Sequence, residues 1–302
     1  MTAVPRFYNN LFAKMQINLK NQSQFKQNLF NSAISLGTKK LHHQKLSINE
    51  KILNFLLDKL VRKKVKNNFG GRLEAFVSGG GPLDSRVGEA LNALGLKTLQ
   101  GYGLTETSPV VSCNPLHKVK VETVGPIFPG VEVKLADDGE ILVKGENLML
   151  GYWNNQEATN KTIINGWLHT GDIGEFDIEG YLKITDRKKD IIVSLGGDNI
   201  APSKLENLLT LSSDIEQACV FGEQKNYIAA LIILSPDSKA TKEQVDLYLE
   251  EINNNLTQPE KIKRYHIIDE PFTIENNLMT PTMKVRRHEV EKKYSEVING
   301  MF

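Results

Sequence analysis

The chain has 302 residues, with 40% apolar and 24% charged residues and a formal net charge of +1. This composition excludes a disordered or fibrous chain and predicts a soluble protein of roughly two or three domains. No apolar run is long enough to cross a membrane and no signal peptide opens the chain, so a cytoplasmic location is expected. Cys113 and Cys219 match no metal-ligand spacing and are predicted to be free thiols.

The charge is distributed unevenly along the chain. Residues 1–66 carry 13 Lys/Arg and only two acids, Glu50 and Asp58, whereas the remaining residues carry 24 bases and 34 acids. A basic segment of this kind suits an acidic surface of the same protein, an anionic membrane, or plain solvent, and solvent is the commonest case. Aromatic residues do not alternate with the bases, so nucleic acid is not expected as a partner.

Residues 7–66 have the apolar spacing of two long amphipathic helices. The first begins at Phe7, and Gly37 is predicted to end it. The second begins near Ser47, where Ser47 and Glu50 form an S-x-x-E capping box. Its apolar stripe is expected to pack in a core rather than on a membrane or a cofactor; the stripe consists of Ile52, Leu53, Leu56, Leu57, Leu60 and Val61.

A strand, a glycine loop and a helix follow in residues 67–107. The strand is predicted at Leu73–Ser78, the loop at Gly79, Gly80 and Gly81, and the helix at Asp84–Leu94. This order brings backbone close to a flat or anionic ligand, although a plain tight turn has the same pattern. A second strand at Leu96–Leu99 leads to a turn that contains Tyr102, Gly103, Thr105 and Glu106.

Short strands with Gly, Asp and Asn turns fill residues 108–186 and predict a small β-barrel-like module. Asp138-Gly139 and Asp177–Gly180 are hairpin signals. Asp172 ends one limb of the second hairpin and Arg187 ends the other. A carboxylate and a guanidinium placed in this way can hold a ribose diol, while a solvated surface ion pair is the alternative.

Residues 187–302 read as a compact α+β domain that follows a charged linker, Arg187–Asp190. A strand at Ile191–Ser194 leads to Gly196-Gly197, and a helix begins near Pro202. Two further strands and two further helices are predicted; they are Ala218–Phe221, Ile228–Leu234, Lys242–Asn254 and Val285–Ile298. The expected segments are therefore 1–66, 67–107, 108–186 and 187–302.

Several blocks of this sequence resemble, in order, those of the adenylate-forming acyl-CoA synthetases, and most closely the long-chain fatty acid–CoA ligases. The blocks are SGGGPL from Ser78, QGYGLTET from Gln100, GEILVKGENLMLGYW from Gly139, GWLHTGD from Gly166, GYLKITDRKKDIIVSLGGDNIAP from Gly180 and TPTMKVRR from Thr280. The resemblance implies an α/β plus α+β fold. A partial parallel sheet and a small barrel from a truncated adenylating domain would precede a small mobile C-terminal domain.

The resemblance also assigns roles to individual residues. Gly79, Gly80, Gly81, Tyr102 and Gly103 would enclose adenine. Asp172 and Arg187 would bind ribose. Thr105 would face the α-phosphate, Glu106 would bind magnesium, Lys284 would be the catalytic lysine, Lys189 the hinge, and Gly196 and Gly197 part of the pantetheine tunnel. Met283 stands where the family usually has glycine, and the long-chain members are similar in having an apolar residue there.

The implied reaction converts a long-chain fatty acid to acyl-AMP with ATP and Mg²⁺ and then transfers the acyl group to coenzyme A. Aryl or short-chain acids are alternative substrates. The family's Ser/Thr/Gly-rich phosphate loop ending in Lys is not found in the sequence. We therefore expect this chain to be the C-terminal part of a ligase. The chain alone is not expected to be active, and a complementing N-terminal half would complete the enzyme. The alternatives are a non-catalytic nucleotide-binding remnant and a membrane-associated scaffold that uses residues 7–66.

Overall fold

The computed structural model describes residues 1–236, 238–280 and 284–302. The chain divides into two compact units, unit 1 from Met1 to Thr185 and unit 2 from Asp186 to Phe302. No helix in these described ranges is long and apolar enough to cross a bilayer.

Unit 1 begins with a two-residue strand and a group of helices, continues through a small parallel sheet and ends in an antiparallel sheet. Its helices are α1 (Pro5–Lys20), α2 (Gln24–Leu41), α3 (Ile48–Leu57), α4 (Lys63–Asn67), α5 (Ser85–Ala93) and α6 (Gln156–Thr162). A π-helical turn at Asp58–Arg62 joins α3 to α4. Its strands are β1 (Thr2–Ala3), β2 (Phe76–Ser78), β3 (Thr98–Tyr102), β4 (Ser112–Cys113), β5 (Val131–Leu135), β6 (Glu140–Gly145), β7 (Ile163–Ile164) and β8 (Trp167–Phe176), and β9 (Leu182–Arg187) runs across the division.

The first sheet has the order β1-β2-β3-β4, with β1, β2 and β3 parallel and β4 antiparallel to β3. The sequence predicted no element before Phe7. Thr2 and Ala3 instead pair with Val77 and Ser78, because the carbonyl groups of Met1 and Ala3 accept from Val77 and Gly79 at 2.8 and 3.2 Å.

The prediction that Gly37 ends the first helix is wrong. The break falls earlier, between Lys20 and Gln24, and α2 runs through Gly37 to Leu41. A Cβ atom at Gly37 would lie 2.5 Å from the carbonyl oxygen of Ala93 in α5. Gly37 is therefore required by the close approach of two helices rather than by a turn.

The capping box at the start of α3 is confirmed. The Glu50 amide donates to Ser47 Oγ at 3.3 Å, and the Ser47 amide donates to Glu50 Oε2 at 2.8 Å. These reciprocal bonds satisfy two of the amides that every helix start leaves without an intrahelical acceptor.

The apolar stripe that follows does not form one core face, contrary to the prediction. Leu57 is fully buried, but Ile52, Leu53, Leu56 and Leu60 keep 37–59% of their exposed area. Two polar side chains, those of Asn54 and Arg62, are buried among these helices. Arg62 donates to the carbonyls of Ala33 and Ala93 at 2.7 and 2.6 Å and to Asn54 Oδ1 at 2.9 Å. The π-helical turn brings Arg62 onto the face where the sequence period would place an apolar residue.

The second sheet of unit 1 is the predicted barrel-like module, present as an antiparallel half-barrel. Its strand order is β5-β6-β8-β7, with β9 also paired to β8. Both hairpin signals are confirmed: Gly139 has a φ of +81°, and the Gly180 amide donates to the carbonyl of Asp177 at 3.0 Å. The inner face packs on buried Val111, Ile141, Val143 and Leu182.

Unit 2 is an α+β unit around a three-stranded sheet. Its strands are β10 (Ile192–Val193), β11 (Asn199–Ile200), β12 (Ile215–Phe221), β13 (Ile228–Leu234) and β14 (Ile262–Ile267), and its helices are α7 (Pro202–Leu209), α8 (Lys242–Asn253), α9 (Arg287–Lys293) and α10 (Ser295–Gly300). The central strand is β13, antiparallel to β12 and parallel to β14. Both faces of β12 are covered, since Ala218 and Val220 join one buried cluster while Cys219 and Phe221 join another.

Three elements of unit 2 differ from the prediction, and the first is the two-residue strand β11, which was not predicted. Strand β14 was not predicted, because its sequence IKRYHI mixes charged and apolar residues as edge strands often do. The last helix is divided at Tyr294 into α9 and α10. The predicted combination of a partial parallel sheet, a barrel-like module and a small α+β domain is otherwise confirmed.

Candidate functional site

A buried hydrogen bond joins the two sheets of unit 1. Tyr102 is the last residue of β3, and its Oη donates to Asp172 Oδ2 on β8 at 2.7 Å. Only 5% of Asp172 is exposed. A carboxylate at this depth needs strong donors, since burial of an ionised group is costly without them. Asp172 and Tyr102, both predicted site residues, are thus brought together.

The backbone around Asp172 is fixed by three side-chain contacts. The Asp172 amide donates to Thr170 Oγ1 at 3.1 Å, and that hydroxyl donates to the carbonyl of Ile141 at 2.7 Å. The Gly171 amide donates to Glu140 Oε1 at 2.9 Å. Sequence reasoning did not identify Glu140 as part of the site. The available signal was an acid at the start of an otherwise apolar strand, where 7% exposure now shows it to be buried.

The glycine loop lies against the first residues of the chain. The Gly79 amide donates to the Ala3 carbonyl, and an added Cβ at Gly79 would lie 3.7 Å from the Gly101 carbonyl on β3. Asp84 caps α5, accepting from the amides of Arg86 and Val87 at 2.9 and 3.2 Å. Because a carboxylate already takes these helix-start amides, the loop suits a flat neutral group better than a phosphate.

Gly103, Thr105 and Glu106 follow Tyr102 along the chain. A Cβ atom at Gly103 would lie 1.7 Å from the carbonyl oxygen of Pro109, so only glycine fits there. Thr105 opens a short 3-10 turn and is exposed. Glu106 Oε1 accepts from Tyr152 Oη at 2.9 Å. Burial and this carboxylate both raise the pKa of Tyr152.

The other predicted site residues lie in unit 2. Arg187 ends β9 and is exposed, and Lys189 lies in the turn closed by the Asp190 amide, which donates to the Arg187 carbonyl at 2.9 Å. Gly196 and Gly197 are exposed in the turn between β10 and β11, where Gly197 has a φ of +84°. The buried neighbour Asp186 accepts from the Ser203 hydroxyl at 3.2 Å, and burial raises the pKa of its carboxyl.

Lys284 is exposed and makes two hydrogen bonds with Thr280. Its amide donates to Thr280 Oγ1 at 3.0 Å, and its carbonyl accepts from the Thr280 amide at 2.8 Å. Met283, which replaces the family's glycine, lies outside the described residues. Three residues beyond Lys284, Arg287 donates to Glu206 Oε1 and to the Val220 carbonyl at 2.7 and 2.6 Å. These contacts fix the chain after the lysine to the central sheet, and the sequence had not suggested them.

No group of three or more His, Cys, Asp or Glu side chains that could hold a metal ion occurs in the part of the chain that the structure describes. Glu106, the predicted magnesium ligand, would supply a single carboxylate. One or two carboxylates are a usual protein contribution to Mg²⁺ when substrate phosphates supply the other ligands. Glu106 therefore fits a magnesium ion that arrives with a nucleotide.

The fold is that of the AMP-binding class of enzymes. The family model described as AMP-binding enzyme matches residues 1–153, and that described as AMP-binding enzyme C-terminal domain matches residues 189–302. The chain belongs to the AMP-binding enzyme family, as the sequence blocks predicted.

Within that family the chain is similar to long-chain acyl-CoA synthetases. It is 37% identical over 269 residues to the long-chain-fatty-acid–CoA ligase FadD15 of Mycobacterium bovis, covering 82% of this chain and 45% of that one. It is 33% identical to the peroxisomal long chain acyl-CoA synthetase 6 of Arabidopsis thaliana, covering 100% of this chain and 48% of that one. The chain thus spans about half the length of the curated relatives it matches.

Solved structures that are similar to this chain belong to the same class of enzymes. The O-succinylbenzoate coenzyme A synthetase of Bacillus subtilis, solved in complex with AMP, is 27% identical with a TM-score of 0.61, over 72% of this chain and 45% of that one. The adenylation domain of a carboxylate reductase from Mycobacterium chelonae has a TM-score of 0.74 at 21% identity, over 99% of this chain and 46% of that one. The second likeness bears on the fold alone.

Proposed function

We propose that this chain forms the nucleotide-ribose site and the small C-terminal domain of a long-chain fatty acid–CoA ligase. The observation that carries the proposal is the buried Asp172 carboxylate, which Tyr102 Oη orients at 2.7 Å. A carboxylate held in this way accepts from both hydroxyls of a ribose. Family membership and the similarity to long-chain-fatty-acid–CoA ligases set the substrate class.

Adenine would lie against the glycine loop. Gly79, Gly80 and Gly81 present backbone without side chains, and the ring of Tyr102 lies beside Asp172. Stacking and backbone hydrogen bonds recognise a flat purine without charge. The capped start of α5 supports this assignment, because its first amides bond to Asp84 and not to a ligand.

The chemistry would take place beside Thr105 and Glu106. A fatty acid carboxylate oxygen attacks the α-phosphorus of ATP, the bond to the β-phosphate breaks, and pyrophosphate leaves. Bound Mg²⁺ supplies charge neutralisation on the phosphates, and Glu106 would hold it. The Thr105 hydroxyl would donate to an α-phosphate oxygen, and the Lys284 ammonium would offset the negative charge that develops there.

The second half-reaction is thioester formation. The thiol of coenzyme A attacks the acyl carbon and AMP leaves, so no protein nucleophile is needed. Arg187 would help to bind the ribose, Lys189 would be the hinge, and Gly196 and Gly197 would leave room for pantetheine. The exposed turn that contains Lys189 and the left-handed Gly197 support these assignments.

We further propose that turnover requires a phosphate loop supplied by a complementing N-terminal half. The sequence contains no Ser/Thr/Gly-rich loop ending in Lys, and the chain matches about half of each relative's length. A second candidate is a nucleotide-binding remnant that does not catalyse. The two candidates share the ribose site and differ in turnover.

Isotope exchange between pyrophosphate and ATP in the presence of palmitate distinguishes the ligase from the non-catalytic remnant. The chain alone is expected to show no exchange. When the chain is coexpressed with the N-terminal half of the Mycobacterium bovis ligase, exchange should appear and should be lost in Lys284→Ala. Absence of exchange from a complex that forms and binds AMP would leave the remnant as the function.

A further inference from the structure

Strand β8 is interrupted by a β-bulge at residues 170–172. On either side of the bulge, Glu140 of β6 pairs with Ile173 and Leu142 of β6 pairs with His169. Between these two pairs β8 uses two residues more than β6. Bulges of this kind occur next to active sites, where they re-aim a side chain. The side chain at the end of this bulge is the carboxylate that we assign to ribose.

Side chains provide the hydrogen bonds that hold the bulge. The Asp172 amide donates to Thr170 Oγ1 at 3.1 Å, and that hydroxyl donates to the Ile141 carbonyl at 2.7 Å. The Gly171 amide donates to Glu140 Oε1 at 2.9 Å. Gly171 has a φ of +69°, a left-handed conformation that glycine adopts without strain. In this bulge the Glu140 carboxylate takes the place of a backbone carbonyl as the acceptor.

The backbone of Glu140 is fixed at the start of β6. Its amide donates to Asp138 Oδ1 at 3.1 Å, and its carbonyl accepts from the Ala136 amide at 2.9 Å. The Gly174 amide donates to the Gly139 carbonyl at 3.0 Å. The first two bonds form the turn between β5 and β6, and the third joins that turn to β8. The carboxylate therefore reaches the bulge from a rigid base.

His169 binds the second oxygen of this carboxylate. Its Nδ1 lies 3.3 Å from Glu140 Oε2. An ionised carboxylate only accepts hydrogen bonds, so Nδ1 is the donor. Glu140 is 7% exposed, and a carboxylate at this depth is stable when its oxygens have donors. Gly171 and His169 supply one donor to each oxygen, so the bulge and the carboxylate stabilise each other.

We propose that Glu140 is a positioning residue for ribose recognition. By accepting from the Gly171 amide, it holds the bulge that aims Asp172 at the 2′ and 3′ hydroxyl groups of the nucleotide. This inference rests on the proposed assignment of Asp172 to ribose. Glu140 acts through the backbone of Gly171 and does not contact the nucleotide. Asp172 is then held at its side chain by Tyr102 Oη and at its backbone by the bulge.

Isothermal titration calorimetry with AMP and 2′,3′-dideoxy-AMP tests this role on the purified chain. Glu140→Met removes both acceptor oxygens. It should weaken AMP binding at least about tenfold, because a displaced Asp172 loses a charged hydrogen bond to the diol. Binding of 2′,3′-dideoxy-AMP should match that of the wild type, since this nucleotide has no diol. Glu140→Gln keeps an acceptor for the Gly171 amide and should restore AMP binding to within about threefold of the wild type.

Glu132→Met is the matched control. Glu132 lies on the neighbouring strand β5, is exposed, and pairs with Lys144 at 3.1 Å. This variant should bind both nucleotides as the wild type does. Glu140→Asp decides the case in which Glu140→Met does not fold. The aspartate keeps the charge, but its oxygens end one carbon–carbon bond short of the Gly171 amide, so binding of AMP alone should weaken.

The outcomes separate this role from the ribose site itself. If Glu140→Asp binds AMP as tightly as the wild type, or loses AMP and 2′,3′-dideoxy-AMP equally, the positioning role is overturned and the ribose site stands. A wild type that binds AMP no more tightly than 2′,3′-dideoxy-AMP overturns the assignment of Asp172 to ribose, and the positioning role with it.

Discussion

Tyr102 Oη donates to Asp172 Oδ2 over 2.7 Å, which joins the end of a strand in the parallel sheet to the middle of a strand in the half-barrel. The two residues are 70 positions apart in the chain. The bond therefore depends on the folding of both sheets, and it also orients the carboxylate that we assign to ribose. The pair therefore matters both for the stability of unit 1 and for the proposed binding of ribose.

Replacing Tyr102 by Phe removes a hydrogen bond to a buried carboxylate. We expect the free energy of unfolding of unit 1 to fall by about 2 kcal/mol, because hydrogen bonds to charged groups contribute about 1.5–3 kcal/mol. Trp153 and Trp167 both lie in unit 1, so urea unfolding followed by tryptophan fluorescence reports on that unit.

The matched control is Tyr181→Phe. Tyr181 is also buried, but its Oη donates to a neutral group, the Lys118 carbonyl, at 3.2 Å. Its loss should cost about 1 kcal/mol. A Tyr102→Phe effect no larger than that of Tyr181→Phe would show that the bond to Asp172 is unimportant for stability.

Gly37→Ala should destabilise unit 1 although alanine normally favours a helix. The added Cβ would meet the backbone of Ala93 at 2.5 Å, and such overpacking costs about 1–3 kcal/mol. Gly300→Ala is the control, because no atom lies within 4 Å of its added Cβ and α10 should gain up to about 1 kcal/mol. Thermal unfolding of the two variants should shift in opposite directions, and a Gly37→Ala protein as stable as wild type would refute the helix contact.

Arg287→Met should destabilise unit 2 by about 3–5 kcal/mol, because it leaves the partly buried Glu206 without its ion-pair partner. The buried Cys219 reports on this loss. Burial raises the pKa of its thiol well above the usual value, so labelling by iodoacetamide is slow until the unit opens. Labelling of Cys219, measured by mass spectrometry, should be much faster in Arg287→Met than in the wild type, whereas labelling of the half-buried Cys113 of unit 1 should not change.

Arg286→Met provides the comparison, since Arg286 is exposed and donates to Asn277. It should leave the labelling of Cys219 unchanged. Equal labelling of Cys219 in the two variants would mean that the Arg287–Glu206 pair does not fix this part of the chain.

The capping box of α3 should make unit 1 sensitive to acid. Lys39 and Ser47 lower the pKa of Glu50 from 4.5 to about 2. A lowered folded-state pKa means that the stabilisation is complete above pH 4.5 and disappears as the pH falls toward 2. The difference in unfolding free energy between wild type and Glu50→Gln should therefore be largest above pH 4.5 and should vanish near pH 2.

Lys39→Gln tests the same linkage from the other partner. It removes the cation that lowers the pKa of Glu50 most, so the acid-dependent part of the stability should shrink. Urea unfolding at a series of pH values measures both variants. A difference between wild type and Glu50→Gln that does not change with pH would contradict the assignment.

Turns and helix caps formed by residues close together in the sequence were predicted correctly. Side chains that contact residues far away in the sequence were not. The Ser47–Glu50 box, the Asp138-Gly139 turn and the Asp177–Gly180 turn depend on residues within a few positions of one another. Gly37 was misread because its reason is Ala93, more than fifty residues away. No local sequence pattern predicts a contact between residues so far apart in the chain.

The candidate site shows the same limit. Blocks resembling the family pointed to Tyr102 and Asp172, which the fold brings into contact. Glu140 and the Arg287–Glu206 pair escaped notice, because their importance comes from burial and from partners on other strands. The buried Arg62 likewise reversed the prediction for the stripe on α3, since a polar core residue interrupts the apolar period.

Binding of AMP to the chain and to Asp172→Asn, measured by isothermal titration calorimetry, tests the central claim most directly. The wild type should bind AMP, and Asp172→Asn should bind it at least about tenfold more weakly, since a lost charged hydrogen bond costs about 1.5–3 kcal/mol. Asp137→Asn, at an exposed turn of unit 1, should bind as the wild type does. For 2′,3′-dideoxy-AMP, Asp172→Asn should bind no more weakly than the wild type, since the diol is absent. Equal affinity of the wild type and Asp172→Asn for AMP would contradict the assignment of Asp172 to the ribose.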